Sequence, residues 1–209
     1  MYKIKELDAI IFDLGGVILN LDFSRTIKAF QLVIPNLDLE SFLGKEGQHK
    51  MYSEFEVGKK STFEFVQEFN QYYQVDLSLA EFANCWNAMI LDMPVHRIEL
   101  LKKLRNMGKQ VYLLSNINAI HEDAVSHRFL EAGERGHFRD MFNHKYYSHH
   151  IKMRKPNPEI FQHVIHEQKL HPERTLFVDD TKMHVDSARK LGLQTHHLQY
   201  GQDITELFI

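Results

Sequence analysis

The stretch Asp8-Ala-Ile-Ile-Phe-Asp-Leu is a short, continuous apolar run that stops at Gly15-Gly16, and it constrains the fold more than any other part of the chain. A strand with one wet face alternates apolar and polar residues. An unbroken run reads instead as a strand covered on both faces, the kind found in parallel sheets. Asp13 stands at its carboxyl end. Four later segments have the same character: Val111 to Ser115, Met141-Phe142 with Tyr146-Tyr147, Thr175 to Asp179, and the more polar Thr195 to Gln199.

Helical patterns separate these strands. Pro94 to Met107 repeats apolar residues at Val95, Ile98, Leu101 and Leu104 and ends at Gly108, a natural C-terminal stop. Pro158 to Leu170 opens with Asn157-Pro158, an N-cap candidate followed by proline at the first helical position, and Val185 to Leu191 ends at Gly192. Alternating strands and helices predict right-handed βαβ units and an α/β fold: a Rossmann-like parallel sheet with helices on both faces. The region from about Asp22 to Asp92 breaks the rhythm and is almost wholly helical in pattern. Ser61-x-x-Glu64 and Ser78-x-x-Glu81 are capping boxes before the runs Phe63–Tyr73 and Phe82–Ile90. Phe65, Phe69 and Tyr72 form one stripe, and Phe82, Trp86 and Met89 another, as expected for helix packing. The expected organisation is an α/β core of residues 1–21 and 93–209 with a helical cap of 22–92, inserted after the first strand and so lying over the carboxyl ends of the sheet.

Composition narrows the function classes. Of 209 residues 44% are hydrophobic and 25% charged, enough for a packed core, and the formal charge of −3 comes with no one-sided basic block, so no nucleic-acid partner is expected. The single cysteine, Cys85, excludes an internal disulfide and fits a reducing compartment, for which the cytoplasm is the default. The charged N-terminus lacks a signal-peptide pattern and no run approaches a membrane span, so no membrane partner is expected. Fourteen histidines are unusual, but pairs such as His149/His150 and His196/His197 lack a matched ligand spacing and read as solvated surface.

Four motifs stand at or near strand ends: Phe12-Asp13-Leu14-Gly15-Gly16-Val17, Leu113-Leu114-Ser115-Asn116, Arg154-Lys155-Pro156 and Phe177-Val178-Asp179-Asp180. Taken in this order, over nearly the whole chain, they resemble the haloacid dehalogenase superfamily of hydrolases, in the branch (C1, subfamily IA) whose helical cap follows the first strand. Within it, Asp-Leu-Gly-Gly-Val with the flap Asn20 to Asp22 is similar to sugar-1-phosphate phosphatases. The resemblance implies a phosphatase acting on a small phosphorylated metabolite, with Asp13 as the nucleophile that forms an aspartyl-phosphate. Asp13, Asp179 and Asp180 offer hard oxygen ligands of the kind Mg²⁺ prefers, and the carbonyl of Gly15 can add another. By the resemblance, Asp180 ligates directly and Asp179 directly or through water. Lys155, preferred over Lys152 because of the Lys-Pro and Asn-Pro context, would set a positive charge against the nucleophile and the phosphoryl oxygens. Ser115 and Asn116 would donate hydrogen bonds to the same oxygens from the hydroxyl, the amide and the backbone N–H groups.

Two positions depart from the pattern. Gly15 stands where most phosphatases of the superfamily carry a second aspartate, an acid/base group worth roughly 10² to 10⁴ in rate. A good leaving group such as an anomeric sugar phosphate is the preferred account; a substitute acid, with Asp22 or His49 possible, and a weakly active protein are the others. His184 stands where related sequences often place Asn, which bears on hydrogen bonding behind the metal. Two competing readings follow from Gly15: a 2-haloacid dehalogenase, disfavoured because clustered carboxylates without a cation repel one another, and a non-catalytic phospholigand-binding protein, disfavoured by retention of Asp13. Lys45, His49 and Tyr52 are polar cap residues that the sequence does not rank, and oligomeric state is not legible.

Overall fold

The computed structural model describes residues 1–35, 37 and 50–208. Five strands form one parallel sheet in the order β3-β2-β1-β4-β5: β1 (Ala9–Phe12), β2 (Gln110–Ser115), β3 (His144–Tyr147), β4 (Thr175–Asp179) and β5 (Gln194–His197). The expected α/β class is what the chain adopts, and the first apolar run, expected to be covered on both faces, forms the central strand. Successive residues of β1 and β4 point to opposite faces, and both faces are covered. Ile10, Phe12, Leu176 and Val178 pack in one cluster with Ile98, Leu101 and Leu104 of α5 (Val95–Asn106) and Val125 and Phe129 of α6 (Ala119–Glu131). Ile11 and Phe177 pack on the other side with Ile160, Phe161 and Val164 of α8 (Pro158–Glu167) and Ala188 of α9 (Lys182–Lys190). The chain runs outward from β1 through β2 to β3, then returns to β4 and β5 on the far side. Strand order therefore reverses between β1 and β4, the place where open α/β sheets bind ligands.

Between β1 and α5 lie α1 (Phe23–Val33), α2 (Lys50–Glu56), α3 (Thr62–Tyr73) and α4 (Leu79–Trp86). Both capping boxes form, Ser61 with Glu64 and Ser78 with Glu81. These helices build their own aromatic core of Phe30, Phe55, Phe65, Phe69, Phe82 and Trp86, with Phe55 stacked on Phe65 at 4.1 Å and Phe82 on Trp86 at 5.3 Å. Each such ring contributes about 1.5–3 kcal/mol by leaving water. The chain enters and leaves this segment through paired backbone: Asp22 N–H donates to the Met89 carbonyl, Leu91 N–H to Asn20, and Asn20 N–H to Asp92.

Four sequence expectations need correction. Tyr72 is exposed, and only Phe65 and Phe69 of its stripe reach the core. The run Phe82–Ile90 is not one helix: α4 ends at Trp86 and a 3₁₀ turn follows, because the buried Thr26 hydroxyl donates to the Trp86 carbonyl and accepts from Met89 N–H. Met141 closes a 3₁₀ turn, Phe138–Met141, and the third strand begins only at His144. Asn157 precedes α8 without a side-chain cap, so Pro158 alone marks that start. No described helix is long and apolar enough to cross a membrane.

The helical segment meets the core where α2 ends. Gly58 follows it at φ 65°, and a Cβ there would lie 2.1 Å from the His149 carbonyl oxygen. A side chain at this position would meet rigid backbone, not a movable chain end. Gly58→Ala is expected to cost at least about 2 kcal/mol, the left-handed conformation alone accounting for roughly 1–2. Urea unfolding of the two proteins checks this; a loss below about 0.5 kcal/mol, the scale of an ordinary surface change, would contradict the close approach.

Candidate active site

Each acidic group of the site is delivered by a strand end. Asp13 follows β1, and its N–H donates to the Val178 carbonyl, which sets it level with Asp179 at the end of β4. Both side chains emerge at the reversal of strand order. Between them the Lys155 Nζ lies 2.7 Å from Asp13 Oδ1 and 2.7 Å from Asp179 Oδ2, and Lys155 is fully buried. Oxygens of Asp13, Asp179 and Asp180 come within 4.8 Å of one another. The sequence expectation that these residues converge with Lys155 is what the geometry presents. Lys152, the competitor, ends α7 (Ser148–Ile151) in the left-handed conformation and is exposed.

Neighbouring groups fix this cluster. Asp179 accepts from Thr181 N–H at 2.7 Å, and His184 Nδ1 lies 3.1 Å from both of its oxygens, so the imidazole N–H braces the carboxylate from behind. Burial holds the His184 imidazole below its usual range, against the pull of Asp179, which keeps the ring a neutral donor. Gly16 has φ 74°, and a Cβ there would lie 2.5 Å from Asp180 Oδ2; the second glycine of the motif is thus the bare backbone against which Asp180 rests. Burial pushes the Asp13 carboxyl up to about 7; Lys155 opposes this and the Asp179 and Asp180 charges add to it. Burial acts the same way on Asp179, yet Lys155 and His184 outweigh it and hold that carboxyl down at about 2.

Ser115 is buried at the end of β2, in register with Tyr147. Asn116 turns its side chain toward Lys155. Its side-chain amide donates to the Lys155 carbonyl at 2.8 Å and its oxygen accepts from Lys155 N–H at 2.9 Å. The amide oxygen and one amide N–H are thus committed to the backbone of the lysine that the residue was expected to assist. Asp22 is likewise committed: its carboxylate caps α1 by accepting from the N–H and hydroxyl of Ser24, and these bonds hold its pKa below the ordinary range. An ionised N-cap is a poor general acid. His49 lies outside the described residues, as does Lys45. At Gly15 a Cβ would lie 2.4 Å from Leu21 Cδ1, so Leu21 occupies the space next to the position where the superfamily's second aspartate is absent.

A family model described as haloacid dehalogenase-like hydrolase matches residues 7–192. The chain belongs to this family. It is 30% identical over 195 residues to a D-ribitol-5-phosphate phosphatase of Bacteroides thetaiotaomicron, covering 93% of each chain. It is 27% identical over 196 residues to a sesquiterpene phosphatase of Aspergillus oryzae, covering 91% of this chain and 89% of that one. Among solved structures, a wild-type HAD family enzyme of B. thetaiotaomicron in complex with magnesium and inorganic phosphate superposes with a TM-score of 0.87 at 32% identity, covering 97% of this chain and all of that one. As a haloacid dehalogenase-like hydrolase the chain is an enzyme.

Sequence reasoning missed one group beside this centre. Glu56, at the end of α2, is buried at the seam between the helical segment and the core; its Oε2 lies 2.9 Å from Arg154 Nη2 and its Oε1 accepts from Tyr52 at 3.1 Å. Burial raises the Glu56 carboxyl, with Arg154, Tyr52 and the nearby Lys155 opposing. The only hint in the sequence was Arg154, adjacent to Lys155; nothing along the chain pairs it with a residue 98 positions earlier. Glu56→Ala leaves a mostly buried guanidinium without this partner. It is expected to destabilise by about 3 kcal/mol, the lower end for breaking a buried pair because Arg154 keeps partial access to water. Thermal and urea unfolding measure it; a loss under about 1 kcal/mol, the value of a surface pair, would show that the pair is solvated in solution.

Proposed function

We propose that this enzyme hydrolyses a small phosphate monoester with Mg²⁺, through an aspartyl-phosphate on Asp13. One observation carries the reading: a buried ammonium, Lys155, holds Asp13 at 2.7 Å while Asp179 and Asp180 stand beside it, three carboxylates against one cation. Three clustered carboxylates make an all-oxygen donor set, which fits a hard divalent ion that keeps several waters. Asp180, at the exposed rim, and Asp13 are the direct ligands, with the Gly15 carbonyl beside them; Asp179, whose oxygens already serve Thr181, Lys155 and His184, acts through water. When bound, Mg²⁺ screens the repulsion between the nucleophile and a phosphate dianion and favours ionised Asp13.

The chain's own residues do the rest. Asp13 attacks phosphorus as the bond to the leaving oxygen breaks, and water then cleaves the aspartyl-phosphate to release phosphate. Lys155 orients Asp13 and offers positive charge to the phosphoryl oxygens, and Asn116 fixes Lys155 by gripping its backbone at both N–H and carbonyl. The Ser115 hydroxyl and the Asn116 N–H donate to the same oxygens. Residues 22–92 act as the cap, with the paired stretches Asn20–Asp22 and Met89–Asp92 as the natural hinge and the Tyr52–Glu56–Arg154 contact as the closed seam.

The substrate class is a phosphorylated polyol or sugar. A 1-phosphate with its anomeric leaving group suits a site lacking the second aspartate, while the D-ribitol-5-phosphate phosphatase among the relatives directs attention to alditol phosphates. A panel of both ester types, assayed in Mg²⁺ and in excess EDTA beside Asp13→Asn, tests the proposal. Turnover is expected to need Mg²⁺ and to fall at least about 10³-fold in Asp13→Asn, as for loss of a covalent nucleophile. Undiminished turnover in chelator, or in the amide variant, would overturn it.

A further inference from the structure

Among the described residues, one cluster of ligating side chains away from the carboxylate centre is left unused by the chemistry above. His149 and His150 of α7 each place Nε2 3.0 Å from the same oxygen, Oε2 of Glu122 on α6. The other nitrogen of His149, Nδ1, lies 2.8 Å from the Ile117 carbonyl. A carbonyl only accepts, so Nδ1 carries a hydrogen, and a neutral ring must then turn the Nε2 lone pair toward a carboxylate. Two acceptors at 3.0 Å call for a positive charge between them: a second proton on the ring, or a cation. An imidazole fixed by an Nδ1–H bond to a backbone carbonyl is also how metal-ligating histidines are held in place.

We propose that Glu122, His149 and His150 form a site for a borderline transition-metal ion of the Zn²⁺ type, separate from the Asp13–Asp179–Asp180 centre. The donor set is two imidazoles and one carboxylate, which suits Zn²⁺ and not Mg²⁺. Four-coordinate zinc with bonds of about 2.0–2.1 Å spaces its ligand atoms about 3.3 Å apart, close to the 3.0 Å found for both Nε2–Oε2 pairs, and all three donors fall within 4.8 Å of one another. Lys145 does not block the position: its ammonium takes the other Glu122 oxygen, Oε1, at 2.6 Å and lies 4.2 Å above the Tyr147 ring. Burial lowers the His150 pKa, with Glu122 opposing, which favours the neutral ligand form. The half-exposed His150 side gives solvent access for the ion and for a water as fourth ligand.

The position matters because of what His149 touches. Ile117 belongs to the same loop as Ser115 and Asn116, and Ser148 bonds both to Ile117 and to the Glu56 carbonyl at the seam. An ion on His149 would therefore brace the phosphate-binding loop through one peptide carbonyl. The test uses the full chain, stripped of metal and saturated with Mg²⁺, then titrated with Zn²⁺ by calorimetry and with Co²⁺ by visible absorption, beside His150→Ala and Glu122→Gln. Wild type is expected to take one Zn²⁺ and to give the intense d–d bands of tetrahedral Co²⁺. Each variant is expected to bind at least 10–100-fold more weakly, since even an outer-shell partner is worth about that much. His150 is half exposed, and Mg²⁺-dependent turnover by His150→Ala at the wild-type rate would certify its fold. Absence of Zn²⁺ binding by wild type, or equal stoichiometry and affinity in wild type and His150→Ala, would overturn the site in favour of a protonated His149–Glu122 ion pair.

Discussion

The cluster of acids at the strand ends is arranged around one buried ammonium. Lys155 has no exposure to water and compensates for it with two carboxylates at 2.7 Å. Burial disfavours its charge, but Asp13 and Asp179 more than restore it, so the ammonium stays above its ordinary pKa. Removing charges from water costs several kcal/mol per ion unless the geometry is close and the remaining hydrogen-bond capacity is satisfied. Here the satisfaction is distributed over the chain: Asn116 holds the Lys155 backbone, Thr181 and His184 hold Asp179, and Gly16 leaves room for Asp180. Since these groups come from β1, β2, β4, α9 and the loop before α8, the sheet order is a precondition of the site. A strand out of place would separate the lysine from its partners.

The excess of acid over base is the second consequence. Asp179 is satisfied internally and held at about 2, whereas Asp13 is driven toward 7 by burial and by the acids beside it, Lys155 opposing. The two aspartates thus occupy different conditions although they are level in the sheet and share one lysine. A group satisfied on both oxygens is suited to bracing; one with a raised affinity for positive charge is suited to meeting a cation and then an electrophile. The proposed division of labour between Asp179 and Asp13 rests on the hydrogen bonds: Thr181, His184 and Lys155 engage both oxygens of Asp179, whereas Lys155 meets Oδ1 of Asp13.

How much of this could be read from the chain depended on the range of the interactions. Buried parallel strands announce themselves as apolar runs, so β1, β2 and β4 and the acids at their ends were legible, as were α3 and α4 from their capping boxes. Features set by distant partners were not. The break after Trp86 depends on Thr26, 60 residues earlier. The seam depends on Gly58 meeting the His149 backbone and Glu56 meeting Arg154. The strand start at Met141 is misplaced because a short apolar pair fits a 3₁₀ turn as well as a strand, and the grip of Asn116 on Lys155 is not legible because nothing local shows an amide reaching the backbone of residue 155. His149 read as surface for the same reason, its partners Ile117 and Glu122 lying 32 and 27 residues away.

Gly15 shows how the two levels of description combine. Sequence alone leaves open whether another residue supplies the missing acid. The geometry removes Asp22, whose carboxylate is spent on the first turn of α1, and fills the neighbourhood of Gly15 with the Leu21 side chain. The other candidate, His49, lies outside the described residues. If no acid is poised, more of the work of expelling the leaving oxygen falls to the substrate, and general acid help of 10² to 10⁴ in rate corresponds to roughly 3 to 5 kcal/mol of barrier. For the hydrolysis proposed here, that difference is large enough to rank substrates by leaving-group acidity before any contact with the helical segment is counted, so an anomeric phosphate gains over an alkyl one. Contacts at the seam then act on a preference the chemistry has already set, and they must supply comparable transition-state binding to reverse it.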